Sequence, residues 1–160
     1  MTENLYAPPK SKLADIGRDE MSPAIWNPNS AANWSLLFSP AFGAYLHMKN
    51  WEALGEPTKA SAAKLWVLVT LLAFAGIALA TAFLPNPRSI DGVSRTVGLI
   101  LLLSWYFSNG RSQVEYVKSR YGKNYPRRSW GKPLLLGCLA LVGFIVFTFV
   151  VVLVAGALKR

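Results

Sequence analysis

The sequence holds a single cysteine, Cys138, and a single histidine, His47, and its 8 Asp and Glu are outnumbered by 17 Lys and Arg. One cysteine cannot form an intrachain disulfide, so nothing points to oxidative stapling. One histidine is a poor start for a metal site: the nearest carboxylate in sequence is Glu52, and no Cys, Asp or His companion is spaced for ligation. The carboxylates Glu3, Asp15, Asp19, Glu20, Glu52, Glu56, Asp91 and Glu115 all lie outside the long apolar runs. Ion-coupled transporters and proton relays usually need ionisable groups at bilayer depth, so this distribution argues against that class. There is no phosphate loop, nucleotide fingerprint or carboxylate pair, and no recognisable base beside a serine. The sequence therefore predicts no catalytic residue, no cofactor and no metal. Cys138, without a basic neighbour to activate it, reads as an inert buried thiol, and His47 as an imidazole at the water interface.

What is present is apolar length. Although the 160 residues are only 52% hydrophobic, two stretches, 65–84 and 134–158, contain no charge at all. At 1.5 Å per residue they reach roughly 30 Å and 37 Å, the hydrocarbon thickness or slightly more. Neither has a polar face, and charge bounds both abruptly, which disfavours the core helix of a soluble protein. A shorter apolar run, 93–107, would cover roughly 22 Å, with Arg95 able to reach outward and Trp105 and Tyr106 suited to the opposite interface. The fold class expected is an all-α integral membrane protein with three transmembrane helices.

A fourth apolar segment, 34–48, is too short for a comfortable crossing and is interrupted by Pro40 and Gly43. It reads as a re-entrant or interfacial pair of short helices with its bend at those residues, and Trp34, Tyr45 and Trp51 at headgroup level. Residues 1–29, with Pro8, Pro9, Pro23 and Pro28, read as an extended tail, and 30–160 as the membrane domain. No apolar stretch near the start resembles a cleavable signal peptide.

Basic residues decide the sidedness. If the 34–48 segment dips and returns while the other three cross, the tail, the 49–64 loop and the 108–133 loop share the cytoplasmic face, with 13 of the 17 basic residues. Four crossings leave only 10 of the 17 inside, and two crossings put the largest basic cluster outside. Three crossings, with the N-terminus cytoplasmic, are expected. The basic loop carries Arg111, Lys118, Arg120, Lys123, Arg127, Arg128 and Lys132, and Val114, Val117 and Tyr121 at helical spacing would let part of it lie along the membrane surface. It reads first as a topology determinant and second as a contact for anionic lipid, with nucleic acid excluded as partner. Small residues form two stripes suited to close helix approach: Ala73, Gly76 and Ala80 in the first long span, and Gly137, Ala140 and Gly143 in the last. Packing within one chain is the favoured use of both; dimerisation or partner binding would use the same contacts.

Three blocks carry a resemblance. "NLYAPPKSKLAD" (Asn4 to Asp15) resembles the NPYAPP-type tails of small proteobacterial inner-membrane proteins, with Leu5 in place of the usual proline. "NPNSAANWSLLFSPAFGAYLHMKNWEALGEP" (Asn27 to Pro57) and "YGKNYPRRSWGKPL" (Tyr121 to Leu134) resemble blocks of a group of small polytopic bacterial membrane proteins. These resemblances imply a multi-pass inner-membrane location and carry no activity. The chain also resembles inner-membrane immunity proteins that protect bacteria from pore-forming effectors of type VI secretion. That resemblance implies a non-enzymatic protein whose partner is a membrane-inserting toxin, and it transfers no site residues. The alternative expectation is a lipid-organising protein acting through its basic loop.

Overall fold

The computed structural model describes residues 22–83 and 87–158. Among these, the regular elements are helical, and the one extended pairing is an isolated parallel bridge between Ile25 and Arg127. Helix α1 (Pro28–Trp34) starts where proline fits, with the Asn27 side chain accepting from the amides of Asn29 and Ser30. A turn over 35–39 leads to α2 (Pro40–Ala53), which Ser39 caps by accepting from the Phe42 amide, again with proline first. Gly55, at φ 73°, takes the left-handed conformation that ends α2, and α3 (Pro57–Phe83) follows at once. Then come α4 (Pro87–Trp105), a π turn (Tyr106–Gly110), α5 (Arg111–Tyr121) and α6 (Gly131–Leu158), with Pro133 in the first turn of α6.

Contacts fix the directions. Trp51 packs with Ala60 and Ala63, Ala44 clusters with Trp66 and Val67, and Phe38 and Phe42 lie beside Leu71 and Phe74. Residue numbers fall along α2 as they rise along α3, so the two helices are antiparallel. Trp130, just before α6, packs on the Phe42 and Leu46 cluster, Gly137 abuts Phe38, and the Phe144 ring lies 5.5 Å from that of Phe74. Helix α6 therefore runs parallel to α3.

Among the described residues two helices, α3 and α6, are long and apolar enough to cross a membrane. Only 11% and 6% of their most apolar windows is buried, which separates them from the core helices of a soluble protein. The buried core sits at one end instead, where α1, α2, α5 and the 122–130 loop gather around the start of α3.

Three expectations change. The 34–48 segment does form two helices, but its bend lies at 35–39. Gly43 is inside α2 and serves close packing: a Cβ there would overlap Ser35 Oγ and approach Trp105 Cη2 to 2.5 Å. The chain is already folded before residue 30: Ile25 is 1% exposed, its amide donates to the Pro126 carbonyl at 3.1 Å, and its carbonyl accepts from Arg128 at 3.0 Å. The tail up to residue 21 lies outside the described residues. Helix α5 follows α4 through the π turn and buries Gln113 and Val117 against the core. Finally, Trp51 is fully buried rather than placed as an interfacial anchor.

Replacing Gly43 with alanine should destabilise the protein by about 1–3 kcal/mol, the usual range for overpacking a filled site. The same change at Gly98, where a Cβ meets nothing within 4 Å, should be neutral or slightly stabilising. Thermal or denaturant unfolding in detergent micelles measures the difference, and equal behaviour of the two variants would contradict the packing described.

Candidate functional site

The most constrained chemistry in the molecule is a buried polar hub. On α2, His47, Asn50 and Trp51 fall at i, i+3 and i+4, so one helix face presents two polar groups and an indole to the core. Asn50 spends its whole amide: Oδ1 accepts from the Trp26 amide at 3.0 Å, and Nδ2 donates to the Trp26 carbonyl at 2.8 Å and to Gln113 Oε1 at 3.0 Å. Gln113 completes the link by donating from Nε2 to the His47 carbonyl at 2.8 Å. Asn50, Gln113 and His47 are each 0% exposed. The hub thus ties the segment before α1 to α2 and α5, three pieces that are distant in sequence.

His47 itself bonds through Nε2 to the Pro28 carbonyl at 3.0 Å and meets the Trp105 ring edge-on at 5.3 Å. A carbonyl only accepts, so Nε2 carries a hydrogen and donates. Burial lowers its pKa to about 4, partly offset by the bond to Pro28. His47 is therefore a buried structural donor, not the interfacial imidazole expected from sequence. His47 Nδ1, Trp51 Nε1, Trp105 Nε1 and Asn109 Oδ1 are buried without a hydrogen-bond partner among the described residues.

The π turn makes the hub possible. Trp105, Asn109, Gln113 and Val117 recur every fourth residue, and all are buried. On a regular helix of 3.6 residues per turn that spacing drifts by about 40° at each step. The wider i→i+5 turn at Tyr106–Gly110 offsets part of the drift and keeps the four on one face.

The basic residues do not act as one patch. Arg111 is engaged by Glu115 at 2.6 Å. Arg120 donates to the Tyr116 hydroxyl at 2.9 Å, and that hydroxyl donates to Glu56 at 3.0 Å. Lys118, Lys123 and Arg127 are brought together around an open cleft of about 570 Å³ beside Asn27 and Tyr125, where burial raises the Tyr125 pKa. Arg128 stacks over the Trp26 ring at 4.9 Å, and Lys132 is exposed at the start of α6.

The small-residue stripes divide differently from the reading as intrachain packing. Gly137 does pack within the chain, against the Phe38 ring, and the exposed Ala140 borders a slot between α2, α3 and α6. Gly76 and Gly143 have open space where a Cβ would lie. Helix α3 packs instead through Ala60, Ala63, Thr70, Ala78 and Ala82, while Ala73 and Ala80 are only partly covered. Cys138 is exposed on α6 rather than buried. Among the described residues no three His, Cys, Asp or Glu side chains cluster where they could hold a metal ion. Asn50 and Gln113 escaped the sequence reading, although polar residues on an otherwise buried stripe (Ala44, His47, Asn50, Trp51) were the available signal.

Truncating Asn50 to alanine should lower stability by about 1–3 kcal/mol, because Trp26 and Gln113 lose partners inside the core. Amide exchange at Trp26 should rise with it; protection unchanged from wild type would contradict the hub. The depressed His47 pKa has a signed consequence for pH. Its contribution is fully present above the unfolded value of 6.5 and is lost as pH falls toward about 4, since the unfolded chain binds the proton more readily. Unfolding free energy in micelles should therefore decline over that window, and less steeply in His47→Gln. No protein-family model matches the chain, and comparison with curated proteins and with solved structures returns no match.

Proposed function

We propose that the chain is a three-pass inner-membrane protein with its folded cap in the cytoplasm, and that it acts by binding within the bilayer rather than by catalysis. The observation that carries this reading is the parallel course of α3 and α6. Two spans that cross in the same direction need a return crossing between them, and α4 is the helix available. A two-span arrangement would require α3 and α6 to be antiparallel. The bonds from Asn50, near the end of α2, to Trp26, before α1, support a 34–48 segment that enters and leaves at one face. Four crossings would separate those two residues by the full membrane. The same end gathers Lys49, Lys59, Lys64 and the seven basic residues of 108–133, in keeping with positive charge inside.

Binding in the bilayer is supported by how little of α3 and α6 the chain itself covers. Without a hydrophobic force between helices in lipid, association depends on close van der Waals contact, and the open faces at Gly76 and Gly143 allow backbone approach. The specific form proposed is an immunity protein: a toxin helix seated on these faces could not join its own pore. The alternative is a lipid-organising protein, favoured by the cations Lys118, Lys123 and Arg127 around one cleft.

Alkaline phosphatase fused after Lys123 should stay inactive and a fusion after Leu84 should be active; an active Lys123 fusion would sink the three-pass topology. For the immunity reading, co-expression with a neighbouring membrane-active effector should preserve membrane potential, and Gly76→Leu with Gly143→Leu should abolish the protection. Collapse of potential in the presence of wild-type protein would refute it.

A further inference from the structure

Helices α2, α3 and α6 leave an apolar slot of about 280 Å³ between them, open to the side. Its walls are Phe38, Phe42 and Tyr45 on one flank, and Leu71 and Phe144 where the two long helices meet. Along α6 the slot extends from Leu136 to Phe144, roughly 12 Å of helix. Its only polar groups are Ser39 and Tyr45, and Tyr45 stands toward the charged end of the molecule.

Cations crowd that end. Lys132 is one turn above Leu136 and Lys49 one turn beyond Tyr45, each on the helix face of its slot residue. The Lys49 pKa is raised by its hydrogen bond to Glu52, a rise that nearby Arg128 partly offsets, and Arg128 is held by stacking on Trp26. Lys49 is paired with Glu52 at 2.8 Å, whereas Arg128 and Lys132 have no carboxylate within ion-pair distance among the described residues. Trp130 packs on the same cluster as Tyr45 and completes an aromatic rim. An apolar slot beneath an aromatic collar and two cations that no described carboxylate pairs is amphipathic in the same sense and order as a phospholipid.

We infer that this slot holds one acyl chain of an anionic diacyl phospholipid whose phosphate is engaged by Arg128 and Lys132. A purely apolar partner helix would gain nothing from the two cations, whereas an anionic headgroup above the slot would pair with both. The inference rests on α3 and α6 lying in lipid, which the reporter fusions test separately.

The full chain, purified in mild detergent from nanodiscs holding equal amounts of phosphatidylglycerol and phosphatidylethanolamine of identical chains, is examined by native mass spectrometry. Phosphatidylglycerol should be retained preferentially, by about fivefold for each cation. Arg128→Gln with Lys132→Gln should reduce that preference to parity while still retaining lipid. Ala140→Phe, which fills the slot, should lose both lipids; Ala140→Leu, a smaller change, guards against misfolding and should show a partial loss. Millimolar glycerol phosphate should not displace the lipid, because it lacks the chain. Equal retention of the two lipids by wild type, undiminished retention in Ala140→Phe and Ala140→Leu, or displacement by glycerol phosphate would each overturn the inference. So would a dimer that Ala140→Phe dissolves without any lipid being retained by wild type.

Discussion

The architecture depends on one constraint: two side-chain amides, Asn50 and Gln113, are fully buried and must find partners inside the protein. An amide withdrawn from water costs free energy unless its donors and acceptors are matched, so the hub accepts few alternative arrangements. Asn50 is matched by both backbone groups of Trp26, which places the chain before α1 on top of α2. With Trp26 held there, Ile25 is aligned to pair with Pro126 and Arg128, and the Trp26 indole reaches the Ser129 carbonyl at 2.9 Å. The loop that enters α6 is thereby fixed by residues more than a hundred positions earlier. The end of the molecule that carries the basic residues is consequently the rigid one.

The π turn belongs to the same constraint. A regular helix through Tyr106–Gly110 would rotate Gln113 away from Asn50 and break the amide pair. The i→i+5 geometry is poorer than α-helical hydrogen bonding, and it persists here because the buried stripe on either side over-determines it. It also keeps Trp105 against Gly43, the position in α2 with no room for a side chain. Helices α4 and α5 thus follow one another through the π turn, and the buried stripe sets the rotation at which they enter the cap.

The long apolar elements were legible in the sequence because they follow from solvent. Uncharged runs of 20 and 25 residues are long enough to cross a bilayer as helices; α3 covers 65–83 of the first and α6 all of the second. Proline and glycine punctuation was equally readable: Pro40 and Pro57 start helices, and Gly55 ends one. The hub was not legible, since whether Asn50 meets water or Gln113 depends on a partner 63 residues away. The same holds for His47 and Trp51, whose amphipathic character suits an interface as well as a core. Composition misplaced the bend in 34–48 for a related reason: Gly43 offers freedom to bend and also room for close approach, and the Trp105 ring decides for the second. The small-residue stripes were visible as patterns, but a pattern does not say which face meets the chain. Gly137 turns toward Phe38, and Gly76 turns away from everything.

This division between a locked end and exposed shafts bears on what the molecule can do. Ordering entropy is spent at the cap, where buried amides and aromatic contacts fix several chain segments together. Away from it, α3 and α6 touch through contacts such as Phe74 with Phe144 and otherwise present aliphatic surface outward. Among the described residues, the polar groups that are fully buried lie mainly in the cap. The exception on α3, Thr70, bonds back to the Trp66 carbonyl at 2.8 Å and so satisfies itself within its own helix. Held at one end and bare along their length, α3 and α6 present apolar surface that the chain itself leaves uncovered.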